Sequence, residues 1–474
     1  MSTPTIPPDE SSPRVTLRVI LIAAAAALGG FLFGFDTAVI NGAVDALRHA
    51  FGLSAALTGI AVSCALLGSA VGAWYAGRLA DRIGRVHTMH VAAVLLAIGA
   101  IGAGLAGSVA LLIVFRLIAG LGVGVASVVA PAYIAEISPA SVRGRLGSLQ
   151  QLAIVLGIFI ALLSDFVLAD AAGAAEAPLW AGIDAWRWMF LVGVIPAAIY
   201  AGLATLVPES PRYLVARGRS DDALAVLRRV LGIGSEPALR QKLSDIERTL
   251  RREHEPVWRD LLGGGTGFLP VVWIGIILSI FQQFVGINVI FYYSSTLWQA
   301  VGFSEANAFQ ETVITSIINV VVTLVAIALV DRVGRKPLLV TGSAGMVAML
   351  GLMAWCFAQA SGTGTHLSLP APWNVVALFA ANAYVVFFGV SWGPVVWVLL
   401  GEMFPNRIRA IALAVAAAAQ WLANFAITSS FPVMAQSSLT FSYGLYAFFA
   451  ALSLLFVLRF VRETRGVELE DMPG

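Results

Sequence analysis

The chain predicts an all-α polytopic membrane protein: twelve transmembrane helices in two six-helix bundles, with short cytoplasmic helices between the halves. Hydrophobic residues fill 59% of its 474 positions and charged ones only 12%, with a mean hydropathy of +0.87. A water-soluble globule cannot hide that much apolar surface, whereas a membrane protein need not. Twelve apolar runs recur along the chain, each long enough to cross a hydrocarbon core of ~30 Å. Of the 29 Lys and Arg residues, 26 fall in alternate connections and at the termini. That asymmetry places those loops, and both termini, in the cytoplasm of a cell whose inner membrane the chain spans.

Residues 1–16, rich in Pro, Ser and Thr, predict a disordered cytoplasmic tail. No basic start or small-residue cleavage site precedes the first apolar run, so that run is expected to stay as an anchor rather than leave as a signal peptide. The N-terminal bundle, 17–207, carries spans 1–6 at 17–41, 55–80, 88–107, 111–134, 146–168 and 187–207. Span 1 contains Asp36 and span 4 contains Arg116. An ionised carboxylate at such depth costs several kcal/mol unless a partner or a proton neutralises it. Counted from helix ends near Gly42 and Ala110, each lies six residues in, so at 1.5 Å per residue both sit ~9 Å beneath the outer surface. Alone at that depth, the two are expected to pair and to act as a proton-sensitive switch; a fixed structural ion pair is the alternative.

The linker, 208–265, holds two stretches, 220–231 and 235–252, that start on capping-type residues and carry helical apolar spacing. Two or three short cytoplasmic helices are expected there, bracing the halves. The C-terminal bundle, 266–462, carries spans 7–12 at 268–293, 308–330, 337–359, 373–400, 408–431 and 440–461, and 463–474 is a cytoplasmic tail. Cys64 and Cys356 both fall within spans and are expected to pack rather than to form a disulfide. Trp273, Trp298 and Trp373 stand at span ends, where an interfacial belt is expected. Gln150 is expected to bond a neighbouring helix.

The halves repeat one another. Asp81-Arg-Ile-Gly-Arg85 returns as Asp331-Arg-Val-Gly-Arg335, and Glu136-Ile-Ser-Pro-Ala-Ser-Val-Arg143 returns as Glu402-Met-Phe-Pro-Asn-Arg-Ile-Arg409. Val207-Pro-Glu-Ser returns as Val461-Arg-Glu-Thr464. Each copy lies at the cytoplasmic end of the equivalent span, after 2 and 8, 4 and 10, 6 and 12. Duplication of this kind belongs to transporters that rock two bundles about a central site. Arg82, Arg85, Glu136, Arg143, Glu209, Arg332, Arg335, Glu402, Arg409 and Glu463 are expected to form a lattice of cytoplasmic gating charges that makes and breaks as the inner side closes and opens. The plainer alternative is that they anchor loops.

With these repeats, the stretches 131–145 (PAYIAEISPASVRGR), 208–212 (PESPR), 281–288 (FQQFVGIN), 331–337 (DRVGRKP) and 392–405 complete a recognisable set. On that set the chain, from about residue 17 to 470, resembles the sugar porter family of the major facilitator superfamily. One departure is the tail, where the family's Pro-Glu-Thr-Lys-Gly is Arg462-Glu-Thr-Arg-Gly466; the charges stay and the turn-fixing Pro goes. The resemblance implies the major facilitator fold and a monosaccharide substrate. It matches Gln151, Gln282, Gln283, Asn288, Asn319, Trp397 and Gln420 to sugar-contacting positions, with Gly393 and Trp421 lining the same cavity. Tyr292 and Tyr293 match an outer gate on span 7. Asp36 matches the acidic position of the proton-coupled members, where facilitative members carry Asn.

The chemistry of those residues agrees. A sugar presents a ring of hydroxyls, each donor and acceptor, and an amide side chain offers one acceptor oxygen and two donors. On an ideal helix Asn288 lies about 120–140° around from Gln282 and Gln283. One ligand meets all three only if span 7 bends, which Gly286 permits. In span 10, Gly393-Pro394 predicts a distortion beside Trp397. Other classes fit less well. The five His are scattered and make no metal site, and no nucleophile or paired acids suggest an enzyme. A transporter-like sugar sensor is expected to carry long cytoplasmic extensions. The expectation is a proton-coupled importer of a monosaccharide, D-glucose or a related hexose first and D-xylose next, working by alternating access. It needs no cofactor, metal or nucleic acid, and its functional unit is a monomer. Facilitative uniport, pentose or polyol symport, and sugar sensing stand as alternatives.

Overall fold

The computed structural model describes residues 17–139, 143–231, 235–252, 258–263, 267–361, 368–405 and 408–464. Among these, twelve helices are long and apolar enough to cross a membrane. In the first half they are α1 (Leu17–Phe51), α2 (Ala55–Ile83), α3 (Arg85–Gly104), α4 (Val109–Ile137), α5 (Leu146–Ala172) and α6 (Ala185–Ala204). In the second half they are α7 (Pro270–Ala300), α8 (Glu305–Val330), α9 (Arg335–Phe357), α10 (Trp373–Met403), α11 (Ile411–Ser437) and α12 (Leu439–Phe460). Several outrun the apolar stretches that predict them. The largest extension is in α1, which continues through a 3-10 turn, Asn41–Ala43, to a left-handed Gly52 at φ 62°. Caps fix the starts: the hydroxyls of Ser54, Ser108, Ser304 and Ser438 each accept a backbone N–H from the first turn of α2, α4, α8 and α12.

Each half packs as a six-helix bundle. In the first, α2 and α3 lie on α4 and α1 lies on α5; in the second, α9 lies on α10 and α12. Between halves α2 packs on α11 and α5 on α8, the two equivalent pairs that a twofold repeat makes. The connection holds three short helices, Pro211–Ala216, Ser220–Leu231 and Glu236–Arg252. Leu227 and Leu239 bury their side chains there with Leu224, Ala238 and Ile246 packed around them, and Arg18 at the start of α1 donates to the carbonyl of Arg229 at 3.2 Å. The predicted N-terminal tail, and all but the first two residues of the C-terminal one, lie outside the described residues.

Two helices break where polar chemistry is concentrated. α7 divides into Pro270–Phe284 and Ile287–Ala300 at Gly286, whose φ of 83° is left-handed. α10 divides at Ser391 (φ −124°, ψ −84°), three residues before Pro394 and so earlier than the Gly-Pro pair suggests. Pro394 has no N–H for the carbonyl of Val390, and the helix gives way there.

Two single-residue expectations need correction. Trp298 is not at an interface: it is 2% exposed and packs on Phe303 with ring centroids 5.6 Å apart, whereas Trp273 is 47% exposed. Among the described residues Gln150 makes no bond to a neighbour; both its amide atoms lie buried without a partner. It is pressed onto α1 at Gly30, where a Cβ would stand 2.7 Å from its amide nitrogen. Cys64 and Cys356 are free, buried and in opposite halves.

Candidate functional site

The two breaks face each other. Gln282 donates through Nε2 to the carbonyls of Trp392 (2.8 Å) and Gly393 (3.3 Å), just past the break in α10. Carbonyls only accept, so its nitrogen is committed to α10, while its Oε1 is buried with no partner among the described residues. Gln283 accepts from Asn288 Nδ2 at 2.5 Å across the Gly286 kink. The kink brings together residues that a straight helix would splay.

A cavity of about 910 Å³, part of it open to solvent, lies beside this junction. It is lined by Gln151, Gln282, Gln283, Asn288, Asn319, Gly393, Trp397, Gln420 and Trp421, so the structure brings all nine matched substrate positions to one place. Gln420 adds a second buried amide oxygen without a partner. Trp421 packs on Phe33 with centroids 5.3 Å apart, building an aromatic wall from both halves. Sequence reasoning passed over Thr37, Thr323 and Asn424, which also line it. Asn424 had a signal, one helical turn after Gln420 in QWLAN. Of the two tyrosines, Tyr292 lines the cavity but Tyr293 does not: its hydroxyl donates to the carbonyl of Thr428 at 3.0 Å and its ring packs on Phe431.

At the end of the molecule remote from the charged repeats, the halves are bonded together. Asn41 donates to the carbonyl of Phe291 and to Ser294 Oγ, both at 2.9 Å. Its own Oδ1 and carbonyl accept from the backbone N–H and the hydroxyl of Ser295 at 3.3 and 2.9 Å. Glu305 accepts from the backbone of Ala175 at 2.9 Å, and Asp45 from Gln299 at 3.4 Å. This far end is shut.

Asp36 and Arg116 meet inside the first bundle, in a separate cavity of about 360 Å³. Arg116 Nη1 donates to the backbone oxygen of Asp36 at 3.0 Å and to its Oδ2 at 3.3 Å. The guanidinium is 2% exposed, and its Nε is buried without a partner among the described residues. One nitrogen makes both contacts, so the pair keeps unused donor capacity. Asp36 is not the sole deep acid: Asp165 on α5 is wholly buried, whereas the Asp36 side chain is 13% exposed. The sequence shows Asp165 in LLSDFVL, but near the end of an apolar run where a solvated position is the simpler expectation.

At the charged end the repeat is preserved atom by atom. Arg85 grips Glu136 through Nε (3.0 Å) and Nη2 (2.8 Å), and Arg335 grips Glu402 at 3.1 and 2.7 Å. Glu209 accepts from the backbone N–H of Arg85 at 2.9 Å, capping α3, and Glu463 accepts from that of Arg335 at 3.0 Å, capping α9. The cap at Glu463 forms although its motif lacks the turn-fixing Pro. These pairs run within each bundle. Arg409 bonds the carbonyl of Phe404 at 3.1 Å instead of joining Glu402, Arg82 and Arg332 are exposed, and the Arg143 side chain lies outside the described residues.

The family model "Sugar (and other) transporter" matches residues 22–474. The chain belongs to that family. A glucose transport protein of Synechocystis is 54% identical over 471 residues, spanning 99% of this chain and 100% of the relative. The D-xylose-proton symporter of Escherichia coli K12 is 38% identical over 96% of this chain and 95% of its own. Among solved structures, a partially occluded inward-open form of the E. coli xylose transporter XylE superposes with a TM-score of 0.82 at 37% identity, covering 96% of this chain and 100% of that one. XylE bound to 6-bromo-6-deoxy-D-glucose superposes with a TM-score of 0.78 at 38% identity, over 96% and 98%. The family's fold, two six-helix bundles of the major facilitator type, is the fold seen here.

Proposed function

We propose that this chain is a proton-coupled importer of a monosaccharide, D-glucose or a related hexose, that works by alternating access in the cell membrane as a monomer and without a catalytic step. The observation that carries the reading is the cavity between the broken helices α7 and α10. Its unpaired amide oxygens on Gln282 and Gln420 await hydroxyl donors, and Trp397 and Trp421 offer faces to an apolar sugar ring. Buried acceptors left without partners cost free energy until a ligand fills them. The glucose and xylose proteins it resembles support the same substrate class.

The charged end faces the cytoplasm in this reading, with both termini, as the placement of 26 of 29 basic residues supports. The far end is then the outer one. Bundles at 17–207 and 266–462 rock about the cavity, and the bidentate arginine–glutamate pairs stiffen each bundle where the inner ends meet and part. Tyr292 forms the cavity's outer roof. Asp36 carries the coupling: its protonation frees Arg116, whose spare Nε then finds another partner, and the arrangement of α1 and α4 that is favoured changes.

Uptake of labelled D-glucose into a host lacking its own sugar transporters tests this. Accumulation above the outside concentration, abolished by a proton uncoupler, is the expected result. Equilibration without accumulation would make the protein a facilitative uniporter, and no uptake of any sugar in a competition panel would end the reading.

A further inference from the structure

Asp165 sits on α5 seven residues before its outer end, about 10 Å deep at 1.5 Å per residue. It is 0% exposed. Its Oδ2 accepts the backbone N–H of Gly42 at 3.2 Å, and its Oδ1 has no partner among the described residues. A Cβ on Gly42 would stand 2.8 Å from the Asp165 Cβ and 2.8 Å from Met189 Sδ, so the carboxyl is pressed directly against the turn Asn41–Ala43. That turn carries Asn41, the side chain that shuts the outer end.

Among the described residues, the ionisable groups on the surrounding elements leave Asp165 without a countercharge. Asp36 on α1 holds Arg116 of α4. Asp45 and Arg48, further along α1, line a separate cavity against α11, and His49 pairs with Glu176. Arg187 on α6 is committed to the carbonyls of Gly104 and Ala106 at 3.1 and 2.7 Å. Asp184 before α6, Glu305 and Glu311 on α8, and Asp170 on α5 itself are acids and supply no positive charge. A carboxylate held by one backbone donor, with no cation, is a costly species in a membrane interior. A protonated carboxyl removes the charge and gains a donor.

We propose that Asp165 is a second proton-binding group, loaded while the outer end is shut and exchanged with the outer medium when α7 and α8 swing away from α1 and α5. The proposal rests on the alternating-access reading above. A group that binds its proton more tightly in one state pulls the molecule toward that state as proton concentration rises. Acid outside therefore favours closure behind Asn41, in the direction of import, and does so whether or not Asp36 can titrate.

The test needs no sugar, so its failure is separable from failure of the substrate reading. Leu297→Cys, at a position 3% exposed under the closed outer end, is introduced with Cys64→Ala and Cys356→Ala, and its labelling from outside at each pH is divided by that of the same cysteine in denatured protein, which removes the thiolate's own pH dependence. In the Asp36→Asn background labelling is expected to fall with acidification, by up to tenfold per pH unit, the slope that one proton sets. Asp36→Asn/Asp165→Asn keeps an acceptor for Gly42 and is expected to be flat. The same slope in both variants overturns the proposal. Infrared spectra of Asp36→Asn protein provide a check that does not depend on the second variant folding. A protonated-carboxyl C=O band that shifts on deuteration is expected in the outer-closed state, and its absence also overturns the proposal.

Discussion

Gln282 shows how much one side chain settles. Its nitrogen holds the broken end of α10 and its oxygen is left for a ligand, so Gln282→Ala removes a helix contact and a sugar contact together, while Asn288→Ala removes its own sugar contact and the bond to Gln283 across the kink. Each lost bond to a hydroxyl is worth ~1–3 kcal/mol, and the half-saturating sugar concentration is expected to rise about 5- to 150-fold in both variants. Unchanged binding by calorimetry in both would remove helix 7 from the site. Asp36→Asn is expected to abolish uphill accumulation while leaving sugar binding and counterflow exchange intact, because the sugar cavity and the Asp36–Arg116 cavity are lined by different residues. Uncoupler-sensitive accumulation surviving in that variant would put the proton elsewhere. Positions such as Gln283 and Asn319 were legible in the sequence because an amide in an apolar span needs an account wherever it points. Asp165, Gln150 and Trp298 were not, since each depends on which neighbour its face meets, and that is set by packing between distant segments.

Helix breaks were readable where backbone chemistry alone decides. Gly286 was expected to bend α7 and does so with a positive φ; a side chain there is strained, and its Cβ would lie 2.6 Å from the Tyr446 ring. Gly286→Ala is expected to cost about 1–3 kcal/mol, seen as a lower Tm in detergent together with weakened sugar binding as the Gln283–Asn288 bond is pulled apart. Full stability and affinity would show that the kink survives without glycine. The break in α10 comes at Ser391, three residues before Pro394, because a proline disrupts the helix in the turn that precedes it. The roles of Glu209 and Glu463 as caps for α3 and α9 were also out of reach. Each acts on a backbone N–H more than a hundred residues away.

The twelve-span, two-bundle plan was plain from hydropathy, basic-residue placement and the duplicated motifs, which are whole-chain signals that no single contact can disturb. What the duplication does at the charged end is a matter of partners: Arg85 and Arg335 hold acids of their own bundle. Glu402→Gln removes one such bidentate contact at a half-buried site, and a loss of about 1–3 kcal/mol is expected. Both a lower Tm and greater reactivity of inner-facing cysteines should follow. A change in Tm alone would make these charges braces and not a gate. The seal at Asn41 has a further consequence. Asn41 grips Phe291, Ser294 and Ser295, all on the part of α7 that follows Gly286, while Gln282 and Gln283 belong to the part that precedes it. The seal can therefore release with one half of the helix pivoting and the other standing still. A sugar would keep its hold on the stationary half as the door beyond it opens or shuts, as a boat waits in a canal lock.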